Sequence, residues 1–224
     1  ACIFDAPGPT FRDAIYPAYK ATREPMKDDL RAQIAPVHEG VRLLGWNVLA
    51  VPGVEADDVM GTLAHMAAQQ GIRVIISSGD KDLSQLVNEQ VTIIDTMKGG
   101  KRRDVAGVTA EFGVPPALMV DFQILVGDKS DNVPGVPKVG EKTAAKWLQQ
   151  YGSLDAIIAH ADDIKGVVGQ NLRASLGWLP TGRQLLTIKT DCDLADWVPS
   201  LPALEALRWG QPQSAALYDF YQRY

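Results

Sequence analysis

Eight acidic residues of the chain fall in four short clusters. One closes the apolar run ACIFD, and the others lie in VEADDV, SGDKD and VGDKSD. The eight are Asp5, Glu55, Asp57, Asp58, Asp80, Asp82, Asp128 and Asp131. Gathering so many carboxylates is unfavourable without cations, because like charges within about 4–6 Å of each other disfavour ionisation. Oxygen ligands without histidine favour Mg²⁺ or Mn²⁺ over Zn²⁺. Two such ions about 3.5–4 Å apart serve phosphoryl hydrolysis, so the clusters predict a two-metal hydrolytic centre.

Each cluster also has a simpler structural explanation. The acids of VEADDV would complement the dipole of a following helix. Those of SGDKD are candidate helix N-caps, and those of VGDKSD are candidate turn formers. These explanations are independent of one another, whereas metal binding accounts for all four clusters together.

The elements that must position these acids follow from the hydrophobic pattern. Apolar runs predict strands at 2–4, 47–51, 73–77 and 91–95, and helical spacing predicts helices at 26–44, 55–70 and 81–87. After about residue 107 the pattern is almost purely helical, with helices at 117–126, 141–150, 154–159 and 171–188. We therefore predict an α/β core with a mostly parallel sheet over 1–106 and a helical half over 107–224. Three acidic clusters follow strands, and strand ends share one edge of a parallel sheet, where ligands bind.

The composition of the chain excludes few classes of protein. The 224 residues are 46% hydrophobic and 22% charged, as in globular proteins, and no apolar run approaches the roughly 18 residues that span a bilayer. The two cysteines lie far apart, which predicts a reducing, cytoplasmic setting without disulfides. The net charge of −5 argues weakly against a nucleic-acid partner. Without the eight clustered acids, however, 19 acids face 22 basic residues, a balance of +3.

Three basic segments are candidates for contact with nucleic acid. In TFRDAIYPAYKATREP, aromatic and cationic residues alternate, which suits stacking on unpaired bases and holding phosphates. We expect this stretch to be irregular or partly helical and mobile, and a solvated amphipathic segment is the alternative to contact with nucleic acid. In PGVPKVGEKTA, a tight hairpin between two helices would present backbone N–H groups to a phosphate, assisted by Lys138 and Lys142. An ordinary turn before a helix is the alternative there. The loop MKGGKRR is either a phosphate contact or simply an exposed basic loop.

Four long motifs resemble one known family. FDAPGPTFRDAIYPAYKATREPM, GVEADDVMGTLA, SSGDKDLSQLV and GDKSDNVPGVPKVGEKTA together resemble the 5′-nuclease (5′–3′ exonuclease) domain of bacterial DNA polymerase I, within the flap-endonuclease family. The resemblance covers nearly the whole chain in the family's order. It implies a PIN-like α/β core, an arch over the active site at about 10–27, and a helix–three-turn–helix motif at about 128–150 that grips duplex DNA.

The resemblance also implies roles for single residues. The acids Asp5, Glu55, Asp57 and Asp58 would mainly build the first of two metal sites, and Asp80, Asp82, Asp128 and Asp131 the second. Lys81 would lie near the reacting phosphate, with Arg12 and Lys20 also assigned to catalysis. DNA contacts are expected from Arg12, Tyr19, Lys20, Arg23, Gly135, Lys138, Gly140 and Lys142. The cofactor is expected to be two Mg²⁺ (or Mn²⁺) ions, and the family hairpin also holds a K⁺ ion.

Two departures from the family pattern stand out. Family members begin with another strand that carries a metal-binding aspartate, followed by helices. Without it, this chain is expected to lack the central strand of its sheet, to bind metal weakly and to cut poorly. The family hairpin also reads Gly-Val-x-Gly-Val/Ile-Gly, and Lys138 occupies the position of the middle glycine. If that position needs a positive φ, a non-glycine residue costs about 1 kcal/mol.

The resulting hypothesis is a metal-dependent 5′–3′ exonuclease or flap endonuclease. It would hydrolyse DNA phosphodiesters in 5′ flaps and nicked or branched duplexes, for primer removal and repair in the bacterial cytoplasm, at the nucleoid. It would act as a monomer, away from membranes, followed in the chain by proofreading and polymerase domains. A stand-alone flap endonuclease is one alternative, and a non-catalytic branched-DNA-binding module is the other.

Overall fold

The computed structural model describes residues 1–224 and divides them into an α/β half and a helical half. The strands are β1 (Cys2–Ile3), β2 (Val48–Leu49), β3 (Val74–Ser77), β4 (Val91–Asp95), β5 (Lys101–Arg103), β6 (Gly127–Asp128) and β7 (Val133–Pro134). The helices are α1 (Phe11–Ile15), α2 (Asp28–Leu43), α3 (Ala56–Gln69), α4 (Val105–Phe112), α5 (Met119–Val126), α6 (Glu141–Tyr151), α7 (Leu154–Ala159), α8 (Gly166–Ser175), α9 (Leu179–Leu186) and α10 (Ser214–Arg223). The predicted α/β class with a helical second half is confirmed.

The central sheet is divided into two pieces. Strands β1 and β2 form one parallel pair, and β3 and β4 form another, with β5 antiparallel at the edge of β4. Between the pieces lies a cleft of about 750 Å³, in which 13 of the 15 lining residues are hydrophobic. Ile75 of β3 is 60% exposed there. No strand pairs with the facing edges of β1 and β3, as expected for a sheet that lacks its central strand.

Most helix limits follow recognisable signals, but three predictions are corrected. The segment 171–188 is not one helix, because the chain turns at Leu176–Trp178 and α9 begins at Leu179 with Pro180 in its first turn. The segment 81–87 holds only a 3₁₀ turn over Asp82–Leu86. The loop MKGGKRR contains β5, and the helix α4 after it, capped by the Asp104 side chain, was not predicted.

One main hydrophobic core of 29 buried residues joins the two halves. Helix α5 contributes Phe122, Ile124 and Leu125 to it and packs against both α6 and α9. A smaller core of six buried residues lies under β2, α3 and the segment 192–198. Helix α5 thus carries β6 and the acids after it on a rigid base.

No single helix has the length and apolar composition to cross a membrane, and only the bent pair Val105–Phe112 and Pro116–Val126 meets that criterion.

Candidate active site and nucleic-acid interface

A small polar cavity of about 70 Å³ collects acidic and basic side chains from both halves of the chain. We call it the acidic cleft. Its charged and phenolic residues are Glu55, Asp57, Asp80, Asp82, Asp131, Arg12, Tyr19, Lys20, Arg23 and Lys81. Five of the eight predicted ligands therefore share one cavity.

Backbone hydrogen bonds place the carboxylates around the cleft. Asp5, just after β1, accepts from the Ala56 N–H at the start of α3 (2.8 Å), which joins the first two acidic clusters. Asp80 accepts from the Asp82 N–H (2.9 Å) in the turn after β3. Asp128 accepts from the Asp131 N–H (3.1 Å), so these two acids share one turn. The capping and turn-forming alternatives are thus partly true, and the same turns bring the carboxylates together.

Asp57 is the most electrostatically strained of these carboxyl groups. Burial and, after it, repulsion from Asp80, Asp82, Glu55 and Asp5 together raise the pKa of Asp57 to about 7. Four other carboxylates therefore repel the negative charge of this one side chain. Such a cluster is stabilised by a divalent cation.

The contribution of Asp57 to the stability of the metal-free protein is expected to decrease as pH rises from about 4 to about 7. The pKa of Asp57 lies near 4 in the unfolded chain and at about 7 in the fold, so deprotonation favours unfolding across this window. Chemical denaturation in EDTA across that range measures the slope. The Asp57→Asn variant should flatten it, and an unchanged slope in that variant would contradict the assignment.

Three cations pair with the acids in the cleft. Lys20 contacts Glu55, and Arg23 contacts Asp131 (2.5 Å). Lys81 bridges Asp82 (2.9 Å) and Asp128, the acid that ends β6. Although burial opposes it, these two acids raise the pKa of Lys81, which stays protonated. The cleft therefore presents positive donors beside its carboxylates, as a site for a phosphodiester requires.

The donor set fits hard divalent cations in its chemistry. The acids offer only carboxylate oxygens, and Asp80 and Asp5, which both act on the charge of Asp57, are solvent-exposed. However, no group of three His, Cys, Asp or Glu side chains forms a complete ligand set in this conformation. The two-ion centre therefore stays a prediction about where these acids would converge.

Asp58 and Arg12 form a buried ion pair that supports the fold. Arg12 is 2% exposed and Asp58 is fully buried, and the guanidinium binds the carboxylate in bidentate fashion at 2.6 and 2.8 Å. The Asp58 oxygens also accept from the N–H groups of Glu55 (3.0 Å) and Lys189 (2.9 Å). Each oxygen of Asp58 thus has two donors already, and Arg12 is buried in this pair. The assignments of Asp58 as a metal ligand and of Arg12 as a DNA contact and catalytic group stay predictions.

The base of the predicted arch is held against the turn of Asp131. The Lys20 N–H donates to the Asp131 carbonyl (2.9 Å), and the Asn132 side chain donates to the Ala18 carbonyl (2.7 Å). Tyr19 is 6% exposed and donates its hydroxyl to Asp131 (2.8 Å). Tyr19 is therefore not an exposed stacking platform, and the description of this stretch as mobile does not fit its contacts.

The predicted hairpin between α5 and α6 is present. Gly135 lies so close to Val126 that an added Cβ would be 2.3 Å from the Val126 carbonyl carbon, which excludes other residues there. No side chain caps the N-terminus of α6, and Lys138 and Lys142 are exposed beside it. Lys138 has φ +66°, so the suspected positive φ is confirmed.

Replacing Lys138 with glycine is expected to separate stability from DNA binding. The change relieves a left-handed lysine and should stabilise the backbone by up to about 1 kcal/mol. If Lys138 contacts a phosphate, duplex binding weakens and its salt dependence decreases by about one charge. Fluorescence anisotropy with a duplex at several salt concentrations measures both. Lys165→Gly, remote in sequence from the hairpin, is the control, and an identical salt slope for Lys138→Gly would exclude the contact.

Sequence reasoning missed one residue of the site. Ser130 donates both its N–H (2.8 Å) and its hydroxyl (2.5 Å) to Asp128 Oδ1. The Asp-x-Ser spacing is a known turn signal and could have identified it. Ser130 fixes the orientation of a carboxylate that Lys81 also contacts.

An α/β core with carboxylates at its strand ends, followed by a helical half with a hairpin, defines a nuclease-like class of fold. Residues 1–113 match the family described as "5′-3′ exonuclease, N-terminal resolvase-like domain". Residues 114–212 match "5′-3′ exonuclease, C-terminal SAM fold". The chain belongs to the 5′–3′ exonuclease family, as its motifs predicted.

The curated relatives are much longer than this chain. DNA polymerase I of Pseudomonas aeruginosa is 45% identical over 99% of this chain and 24% of the relative. DNA polymerase I of Mycobacterium tuberculosis is 42% identical over 98% of this chain and 24% of the relative. The chain thus spans about a quarter of the length of the relatives it matches.

Solved structures share the fold at low sequence identity. The 5′-exonuclease of bacteriophage T5, described with bound divalent metal ions (zinc), matches with a TM-score of 0.71 and 19% identity over 98% of this chain and 82% of that chain. A T5 flap endonuclease complex with DNA and metal ions matches with a TM-score of 0.73, at 19% identity and the same coverage. The catalytic core of Rad2 with a DNA substrate has a TM-score of 0.61 at 15% identity, over 99% of this chain and 73% of that chain.

Proposed function

We propose that this chain is a metal-dependent, structure-specific 5′ nuclease that cuts DNA at 5′ flaps and at nicked or branched duplexes. The observation that carries the proposal is the acidic cleft, where acids from three separate segments meet four lysine and arginine side chains in one cavity. Membership of the 5′–3′ exonuclease family supports it. The repulsion that four other acids exert on Asp57 also supports it, because carboxyl groups with strongly perturbed pKa values concentrate at functional sites.

The residues of the cleft divide the work of hydrolysis. Divalent ions, which we propose to be two Mg²⁺ or Mn²⁺, would supply an activated water and neutralise charge on the phosphate. Asp57, Asp80, Asp82, Asp128 and Asp131 are proposed to hold them, with Asp5 and Glu55 completing the set. Lys20 and Lys81, which already contact these acids, are positioned to donate to the phosphate oxygens.

The hairpin is proposed to grip the duplex at a fixed distance from the cut. Strand β6 ends at Asp128 and pairs with β7, whose Val133 lies opposite Asp128 in the ladder. The Val136 N–H then donates to the Leu125 carbonyl (2.9 Å). Gly135, Lys138, Gly140 and Lys142 are thereby held to the same base as Asp128. A nuclease that reads the junction of duplex and flap needs this fixed separation.

The wider context is also a proposal. The matched relatives are DNA polymerases I, so we propose that the chain works in a bacterial cytoplasm with proofreading and polymerase domains, as a monomer. Its task would be removal of primers and displaced strands. A K⁺ ion at the hairpin would add to the duplex grip, since the turn exposes backbone groups beside α6.

Cleavage of a 5′-labelled flap duplex tests the proposal. We expect a single-strand product of flap length in Mg²⁺ or Mn²⁺, none in EDTA, and little cleavage of intact blunt duplex. Binding without cleavage under all metal conditions would favour the branched-DNA-binding module instead. Equal cleavage of all substrates would contradict structure specificity.

A further inference from the structure

Gln123 is a polar side chain on the buried face of an apolar helix. It lies in α5 among Phe122, Ile124 and Leu125 and is 3% exposed. Its amide NH₂ group donates to Oδ1 of Asp82. Its Oε1 is buried and has no hydrogen-bond partner. The contact with Asp82 is thus the only hydrogen bond that this amide makes.

We propose that Gln123 is a positioning residue that holds Asp82 in the orientation needed to bind a divalent cation. The inference rests on the proposed function. The amide engages Oδ1, and Oδ2 of Asp82 accepts no hydrogen bond, so one carboxylate oxygen is fixed and the other is left for an ion. Partners that orient ligating carboxylates are a general feature of metal sites.

The chemistry of the amide fixes the direction of this contact. A carboxylate only accepts hydrogen bonds, so the NH₂ end of Gln123 must face Asp82, and the carbonyl end is forced into the core. Lys81 also donates to Oδ1 (2.9 Å), but its side chain is 47% exposed and is shared with Asp128. Of the two side chains that donate to Asp82, Gln123 is therefore the one that donates to no other residue.

The unpartnered Oε1 argues that the amide is not there for stability. A buried acceptor without a donor destabilises a fold, and an apolar side chain of similar shape avoids that loss. Gln85 shows the contrasting case. Its Nε2 donates to the Leu186 carbonyl (3.0 Å) and its Oε1 accepts from the Ile188 N–H (2.9 Å), so both ends of that amide stabilise the fold.

The test compares Gln123→Met and Gln123→Leu with Gln85→Met in the protein. Each variant is measured for thermal stability in EDTA, for Mn²⁺ binding by calorimetry with MnCl₂ alone, and for flap cleavage. We expect both Gln123 variants to be at least as stable as the wild type and to bind Mn²⁺ about 10–100-fold more weakly. Gln85→Met should show the reverse, with lower stability and wild-type Mn²⁺ affinity.

The Asp82→Asn variant separates failure of this inference from failure of the proposed function. If the wild type binds Mn²⁺ and Asp82→Asn binds it more weakly while the Gln123 variants bind as the wild type, the positioning role is wrong and the metal site stands. If the wild type shows no Mn²⁺ binding that depends on Asp82, both proposals fail. Loss of folding in both Gln123 variants would also overturn the inference, because it would show that the amide supports stability.

Discussion

Replacing Asp82 with asparagine is expected to reduce flap cleavage on the order of 10³-fold while DNA binding persists. A ligating carboxylate that is lost from a two-metal centre removes several kcal/mol of transition-state stabilisation, and each 1.36 kcal/mol is a factor of ten in rate. Binding should survive, because the proposed grip lies in the hairpin at Lys138 and Lys142, outside the cleft. Single-turnover cleavage in Mg²⁺ and anisotropy in EDTA measure the two properties separately.

Asp162→Asn is the matched control for this substitution. Asp162 is 98% exposed and lies outside the cleft, so the variant makes the same change of charge without touching the proposed ligands. We expect wild-type cleavage from it. Wild-type cleavage by Asp82→Asn as well would exclude Asp82 from catalysis, and loss of binding in that variant would place the DNA grip inside the cleft.

Replacing Arg12 with methionine is expected to destabilise the whole fold by about 3–5 kcal/mol, since it leaves the carboxylate of Asp58 buried without its partner. The guanidinium also donates to the carbonyl of Leu185 (2.7 Å), so the change disconnects α1 from the end of α9. Although burial opposes ionisation, the hydrogen bond from Arg12 lowers the pKa of Asp58, so the carboxylate is charged in the fold. Urea denaturation measures the loss.

The double variant Arg12→Met with Asp58→Leu is expected to recover part of that stability, because replacing both members of a buried pair avoids the unpaired charge. Arg102→Met, an exposed arginine of β5 without an ion pair, should change stability by no more than about 0.5 kcal/mol. An Arg12→Met variant with wild-type stability but no cleavage would instead return Arg12 to the catalytic role that the sequence suggested.

The sequence predicts which acids lie close together better than it predicts the environment of each acid. Local signals identified the strands that end at Asp5 and near Asp80, and strand edges brought those acids to one side of the fold. Burial is a tertiary property, so nothing local separated Asp58 from Asp57, although one is saturated by Arg12 and the other is repelled by its neighbours. The basic and aromatic pattern of the arch likewise did not show that Tyr19 would be buried against Asp131.

The hairpin shows the opposite case, in which a single local irregularity was informative. A lysine at a turn position suited to glycine predicted a strained backbone, and the positive φ of Lys138 confirms it.

By contrast, Gln123 gives no signal in the sequence, since a glutamine in an apolar helix becomes meaningful only when its partner, Asp82, is known. Edge strand β5 was missed because its three residues are all basic.

Anomalous diffraction from crystals of the protein soaked in Mn²⁺ shows directly whether the acidic cleft binds divalent ions. We expect two peaks within the cleft, about 3.5–4 Å apart. Asp57, Asp80 and Asp82 should be among the ligands, and Asp58 should still be bound to Arg12. Crystals of Asp82→Asn should lose at least one peak. A cleft without manganese at concentrations that support flap cleavage, or ions bound only elsewhere, would contradict the proposed two-metal centre.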